Sequence, residues 1–108
     1  MTSDDDFERI AVADQPAPGE LRAVTLADGT RLCVGNVDGT WFAAPDACPH
    51  AAFPLSNGTL LVDGTLECGW HGARFNCRSG AVVRGPATDA LSLRTVRVTE
   101  DGVRVRRS

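Results

Sequence analysis

Four residues in two short boxes carry the chemistry this chain can offer. Cys48-Pro49-His50 and Cys68-Gly69-Trp70-His71 each join one cysteine to one histidine, spaced C-x-H and C-x2-H. The chain has only two histidines, and both stand in these boxes. Thiolate and imidazole are soft or borderline donors, suited to a transition metal rather than to calcium or magnesium. Pro45, Pro49, Pro54, Gly58, Gly69 and Gly72 surround the boxes and mark both as loops.

Three readings compete for Cys48, His50, Cys68 and His71. Buried cysteines with incidental histidines would need both histidines to fall beside cysteines by chance. A Cys2His2 zinc site would make the chain a zinc-stabilised, non-redox binding module. Zinc sites of that type usually keep the cysteines in one half and the histidines in the other, whereas each half here is mixed. A [2Fe-2S] cluster with two cysteines on one iron and two histidines on the other accounts for the mixture. Each loop then offers its cysteine to one iron and its histidine to the other.

The elements that must position these boxes come from a chain of 108 residues, enough for one domain spanning 1–108. A domain of this size buries roughly 65% of its extended-chain surface, so one modest core is feasible. Net charge is −3 and the isoelectric point about 5.2, which opposes nucleic-acid binding. No apolar run approaches the ~20 residues of a membrane span. Residues Met1 to Asp6 are acidic and unlike a signal peptide, so a cytoplasmic protein is expected. Four cysteines could form disulfides, but two stand beside histidines and nothing points to export. Residues 1–67 carry three Arg against eleven Asp and Glu, and residues 68–108 carry eight Arg against three. There is no lysine. This split is either ordinary solvated surface or a polarised face that orients a partner.

Turn signals are frequent. Asp28-Gly29, Asp38-Gly39, Asn57-Gly58, Asp63-Gly64 and Asp101-Gly102 are the Asx-Gly pairs that favour hairpins. Between them, short runs rich in Val, Leu and Thr predict strands over 7–13, 20–26, 30–37, 40–44, 60–62, 65–67, 73–77, 81–83, 92–99 and 102–106. Val103 and Val105 alternate with Arg104 and Arg106, but the preceding strand changes phase between Leu93 and Val96, which predicts a bulge near Arg94 or Thr95. No stretch of ten residues has helical periodicity. The pattern predicts an all-β sandwich or small barrel.

The pattern C-x-H-x17-C-x2-H-G resembles the signature of Rieske iron–sulfur domains. The likeness extends through Asp46-Ala47-Cys48-Pro49-His50-Ala51, Leu55-Ser56-Asn57-Gly58, Cys68-Gly69-Trp70-His71-Gly72, Arg74-Phe75-Asn76, Ser79-Gly80 and Gly85-Pro86-Ala87. In length the chain looks like the soluble Rieske ferredoxins of bacterial ring-hydroxylating dioxygenase systems. The resemblance implies a Rieske-type antiparallel β-sandwich with a small cluster-binding subdomain, here about residues 45–86. It implies one [2Fe-2S] cluster, with Cys48 and Cys68 on an inner iron and His50 and His71 bound through their δ nitrogens at an exposed tip. It further implies a one-electron carrier, not an enzyme, that takes electrons from a flavin-dependent ferredoxin reductase and passes them to a terminal aromatic-ring-hydroxylating oxygenase. A monomer that binds neither nucleic acid nor membrane is expected. The small subunit of assimilatory nitrite reductase also resembles this family, but some of its members lack cluster ligands, whereas all four are present here.

Two departures sort the chain within the family. Respiratory Rieske proteins carry an extra cysteine in each box, joined as a disulfide, where this chain has Phe53 and Trp70. They also place a serine and a tyrosine whose hydroxyls donate to cluster sulfurs, where this chain has Ala73 and Phe75. Reduction adds negative charge, so donors aimed at the sulfurs favour the reduced form. A hydrogen bond to a charged group contributes ~1.5–3 kcal/mol, and ~1.4 kcal/mol corresponds to ~59 mV for one electron. Two missing donors lower the potential by roughly 130–250 mV, which predicts a value below roughly −50 mV, flat near neutral pH and falling in alkali.

Several residues have weaker assignments. Trp70 either shields the cluster or meets a partner. Phe53 and Leu55 are expected to fill space under the first loop, and Pro86 to pack beside the cluster or simply form a turn. Arg74, Arg78 and Arg84 are either solvated surface or a face for an acidic partner. Cys33 and Cys77 are expected as buried free thiols, with a disulfide between them left open. Of Trp41 and Phe42, adjacent in a strand, one should face the core.

Overall fold

A computed structural model describes residues 6–48, 54–69, 72–85 and 89–107. Along the chain run β1 (Phe7–Ile10), β2 (Leu21–Thr25), β3 (Arg31–Val37), β4 (Thr40–Pro45), β5 (Thr59–Leu60), β6 (Thr65–Glu67), β7 (Arg74–Asn76), β8 (Val82–Arg84), β9 (Val96–Thr99) and β10 (Gly102–Arg106). Among the described residues there is no α-helix, only short 3-10 turns at Val12–Asp14 and Leu55–Asn57. The strands form three antiparallel sheets, ordered β1-β10-β9, β2-β3-β4 and β5-β6-β7-β8.

The β2-β3-β4 sheet lies between two cores, and its sequence shows why. Successive strand residues point to opposite faces. On β3, Leu32 and Val34 join Ile10, Val24, Ala43, Val103 and Val105 in one core, against the β1-β10-β9 sheet. Cys33, between them, joins Phe42, Ala44, Leu66 and Phe75 in the other, against the β5–β8 sheet. Because both faces are covered, Leu32 to Asn36 are all buried, and the strand reads as a run rather than an alternation. Neighbouring β4 divides the same way: Phe42 packs in the second core, while Trp41 lies partly buried against the first. The first two sheets are the expected sandwich. The four-stranded sheet covers the other face of β2-β3-β4, and the second box falls in its β6–β7 connection.

Hairpin chemistry follows the Asx-Gly pairs with one exception. Gly29, Gly39, Gly64 and Gly102 take positive φ, as tight turns require, and Asp38 does so too. The Asp28 carboxylate accepts the Thr30 amide and the Asp63 carboxylate accepts the Thr65 hydroxyl and amide, and these bonds hold both acids below the usual carboxylate range. Gly58 does not take positive φ; it is extended, after the 3-10 turn.

Most boundaries move by a residue or two, and the first and ninth strands differ most from the sequence reading. The first strand stops at Ile10, where the Gln15 side chain donates to the Ile10 carbonyl, and Val12 stands 81% exposed with no core to enter. The phase change after Leu93 is a change of core. Leu91 and Leu93 pack on the sulfur-rich side, the Arg94 amide donates to the Ala43 carbonyl, and β9 begins only at Val96 on the other side. Val98, expected in phase with Val96, is 54% exposed at the sheet edge.

Candidate functional site

Cys48 follows β4 and Cys68 follows β6, and both thiols are buried in one core. That core also holds Cys33, Cys77, Leu55, Ala73 and Phe75. His50, His71, Phe53, Trp70 and Pro86 lie outside the described residues. Among the described residues no three metal-ligating side chains converge, as follows when only the two cysteines of the quartet are among them.

The second box caps a hairpin. Glu67 pairs with Arg74 across β6 and β7, and their side chains form an ion pair at 2.9 Å. One step further in, the Cys68 amide donates to the Ala73 carbonyl at 2.8 Å, closing the loop at its neck. Gly72, which follows His71, takes a φ of +72°, a left-handed turn that suits glycine.

The first box is held by a side chain. Asp46 sits two residues before Cys48, and its carboxylate reaches across the loop to Ser56. Oδ1 accepts the Ser56 amide and Oδ2 the Ser56 hydroxyl, both at 2.8 Å. The Arg31 guanidinium lies 3.9 Å from Oδ2. Leu55, fully buried, fills the space beneath, as expected. The bases of the two loops then abut: a Cβ on Gly58 would lie 2.3 Å from the Glu67 carbonyl oxygen, immediately before Cys68. Gly58 is therefore required by close approach rather than by φ.

Apolar side chains line much of this core. Ala73 and Phe75 are fully buried, and neither side chain can donate a hydrogen bond. Cys33 and Cys77 are free thiols, so no disulfide joins them. Burial, assisted by the charge of Asp46 and by Cys77, pushes the Cys33 thiol up to about 12. Burial, assisted by Asp63, pushes Cys77 up to about 12 as well. These two are inert packing groups at neutral pH. The donor set at the loops fits an iron–sulfur group on the thiol side. Cys48 and Cys68 form no disulfide, share one core, and stand at the feet of two clamped loops.

Sequence reasoning missed three supports of this site: the Asp46–Ser56 clamp, the Glu67–Arg74 pair and the approach of Gly58 to Glu67. Arg74, weighed as a partner-facing residue, is engaged within the sheet; Arg78 and Arg84 are exposed. The available signal was the placement of Asp46 and Ser56 at the two ends of the loop, which did not show that they touch.

Residues 7–99 match the family model described as the Rieske [2Fe-2S] domain. The biphenyl dioxygenase ferredoxin subunit of Pseudomonas sp. (strain KKS102) is 33% identical over 92 residues, covering 85% of this chain and 84% of that protein. The ferredoxin of carbazole 1,9a-dioxygenase from Nocardioides aromaticivorans IC177 superposes with a TM-score of 0.84 at 27% identity, covering 94% of this chain and 98% of that one. A chain in the complex of reduced oxygenase and oxidized ferredoxin of carbazole 1,9a-dioxygenase superposes at 0.83 with 32% identity, covering 94% and 93%. A nitrite reductase small subunit from Mycobacterium tuberculosis reaches 0.77 at 22% identity, covering 94% and 95%, which is a likeness of fold alone.

Proposed function

This chain belongs to the Rieske [2Fe-2S] family, and from that premise we propose that it carries single electrons as the ferredoxin component of a ring-hydroxylating oxygenase system. Its cofactor is one [2Fe-2S] cluster. Cys48 and Cys68 would hold it through their thiolates, and His50 and His71 through their imidazoles. When bound, the cluster supplies a one-electron couple. The observation that carries this reading is the pair of buried cysteines, in no disulfide, that share one core, each at the foot of a clamped loop leading to one of the chain's two histidines.

The chain's own residues do three things. Leu55, Leu66 and Phe75 keep water from the thiol side. The Asp46–Ser56 and Glu67–Arg74 contacts fasten the bases of the two loops. Ala73 and Phe75 withhold hydroxyl donors, which favours a low potential, below roughly −50 mV.

The electron acceptor is a terminal oxygenase, the partner with which a related ferredoxin has been solved in complex, and the donor a flavin-dependent reductase. The protein acts as a cytoplasmic monomer, a single domain over 1–108 with the cluster segment at about 45–86. Among the described residues no helix is long and apolar enough to cross a membrane. The nitrite reductase alternative rests on shared fold only and gains no specific support. Absorption, metal and sulfide analysis of purified protein tests the proposal. A red-brown protein holding iron and acid-labile sulfide in equal amount is expected, with a low midpoint potential. A colourless protein holding zinc overturns it.

A further inference from the structure

We propose that Asp46 is a positioning and tuning residue: it fastens the first ligand loop through Ser56, and its buried negative charge, opposed by Arg31, lowers the electron affinity of the site. This rests on the iron–sulfur reading above and goes beyond it.

The carboxylate is only 1% exposed, yet the groups around it do not cancel its charge. Both short hydrogen bonds come from Ser56, a neutral donor. Among the described residues the cation paired with it, Arg31, is 3.9 Å away with a side chain 64% exposed, so water screens the guanidinium far more than the acid. A clamp alone has no need of an acid, because an amide oxygen also accepts an N–H. What aspartate adds is a fixed negative charge two residues from Cys48.

That charge reaches the core where the ligand thiols lie. The carboxylate is buried two residues before Cys48, and beside burial its charge helps push up the Cys33 thiol, which shares a core with Cys48 and Cys68. A field that opposes a thiolate at Cys33 opposes any added negative charge there, an electron included. Arg31 acts with the opposite sign and, being exposed, with less force.

Redox titration of the cluster-loaded protein distinguishes tuning from mechanics. Asp46→Asn keeps an acceptor for the Ser56 amide and removes the charge. Its reduced-to-oxidised ratio at fixed ambient potential should rise about tenfold, equivalent to ~59 mV for one electron. Arg31→Gln should shift the ratio the other way, by less. Ser56→Ala keeps the charge and loosens the loop, so it should lower thermal stability without raising the potential. An unshifted Asp46→Asn, shifts of one sign in the Asp46 and Arg31 variants, or a rise in Ser56→Ala overturns the tuning role. If Asp46→Asn retains no cluster, Arg31→Gln decides: a fall supports the inference, and no change or a rise overturns it. A wild-type protein without visible absorption would instead refute the iron–sulfur reading on which the inference stands.

Discussion

The two faces of the β2-β3-β4 sheet are built from different materials. One looks onto Ile10, Val24, Leu26, Leu32, Val34, Val103 and Val105, an aliphatic core in which β-branched side chains fill the space between two sheets. The other looks onto all four cysteines, together with Ala44, Ala73 and the rings of Phe42 and Phe75. The aliphatic side resembles the interior of any small sandwich, where each fully buried Val, Leu or Ile contributes about 1.5–3 kcal/mol. The sulfur side combines its cysteines, small residues and rings with Leu55, Leu66 and Leu91, and its two loops are fastened by an ion pair and hydrogen bonds as well as by apolar packing. One core keeps the chain folded; the other holds a site dry and in register.

Breaking each side separately tests this division. The largest effect is expected for Cys68→Ala, which should abolish visible absorption and iron content while far-UV circular dichroism retains the β signal of the aliphatic half. Persistence of full colour would remove Cys68 from the ligand set. Next, Leu32→Ala should cost about 2–5 kcal/mol in denaturant unfolding and leave the midpoint potential unchanged, because Leu32 faces away from the sulfur core. A large potential shift there would show that the two cores are coupled.

Ala73→Ser and Phe75→Tyr sharpen the comparison from the other side. Each should raise the potential by about 60–130 mV, the equivalent of one added charged-acceptor hydrogen bond of about 1.5–3 kcal/mol. An unshifted double variant would mean that backbone donors and solvent exposure set the potential instead.

The smallest effect concerns pH. Cys33 ionises near 9.0 when unfolded and near 12 when folded, so the folded thiol stays neutral after the unfolded one has ionised. Its contribution is complete below pH 9 and is lost as pH rises towards 12. The slope is about 1.4 kcal/mol per pH unit. Thermal unfolding between pH 9 and 11 should therefore show a shallower alkaline loss in Cys33→Ala than in wild type. An identical slope would assign the alkaline sensitivity to other groups.

Much of the scaffold was legible because it depends on neighbours in the chain. The Asp-Gly pairs at 28–29, 38–39, 63–64 and 101–102 specify turns through backbone φ, and the runs between them have nowhere to go but strands. Asn57-Gly58 looks the same in sequence and does something else, since its glycine answers to the Glu67 carbonyl rather than to its own φ. The first strand was read too long because Val12 is apolar, and only the absence of a facing wall shows that it stays outside.

The sequence by itself determined the donor set: residue type and spacing confine both histidines and two of four cysteines to two loops, and ligand preference is a property of the side chains. It also determined the all-β class, since turn chemistry and alternation are local. Tertiary structure alone decided which face each strand residue serves, which is why Cys33 and Leu32, adjacent in sequence, serve different cores. It likewise decided that Asp46 meets Ser56 and that Glu67 meets Arg74. Those contacts depend on register between segments, and register is fixed only when the whole chain has found the packing that buries its apolar faces together.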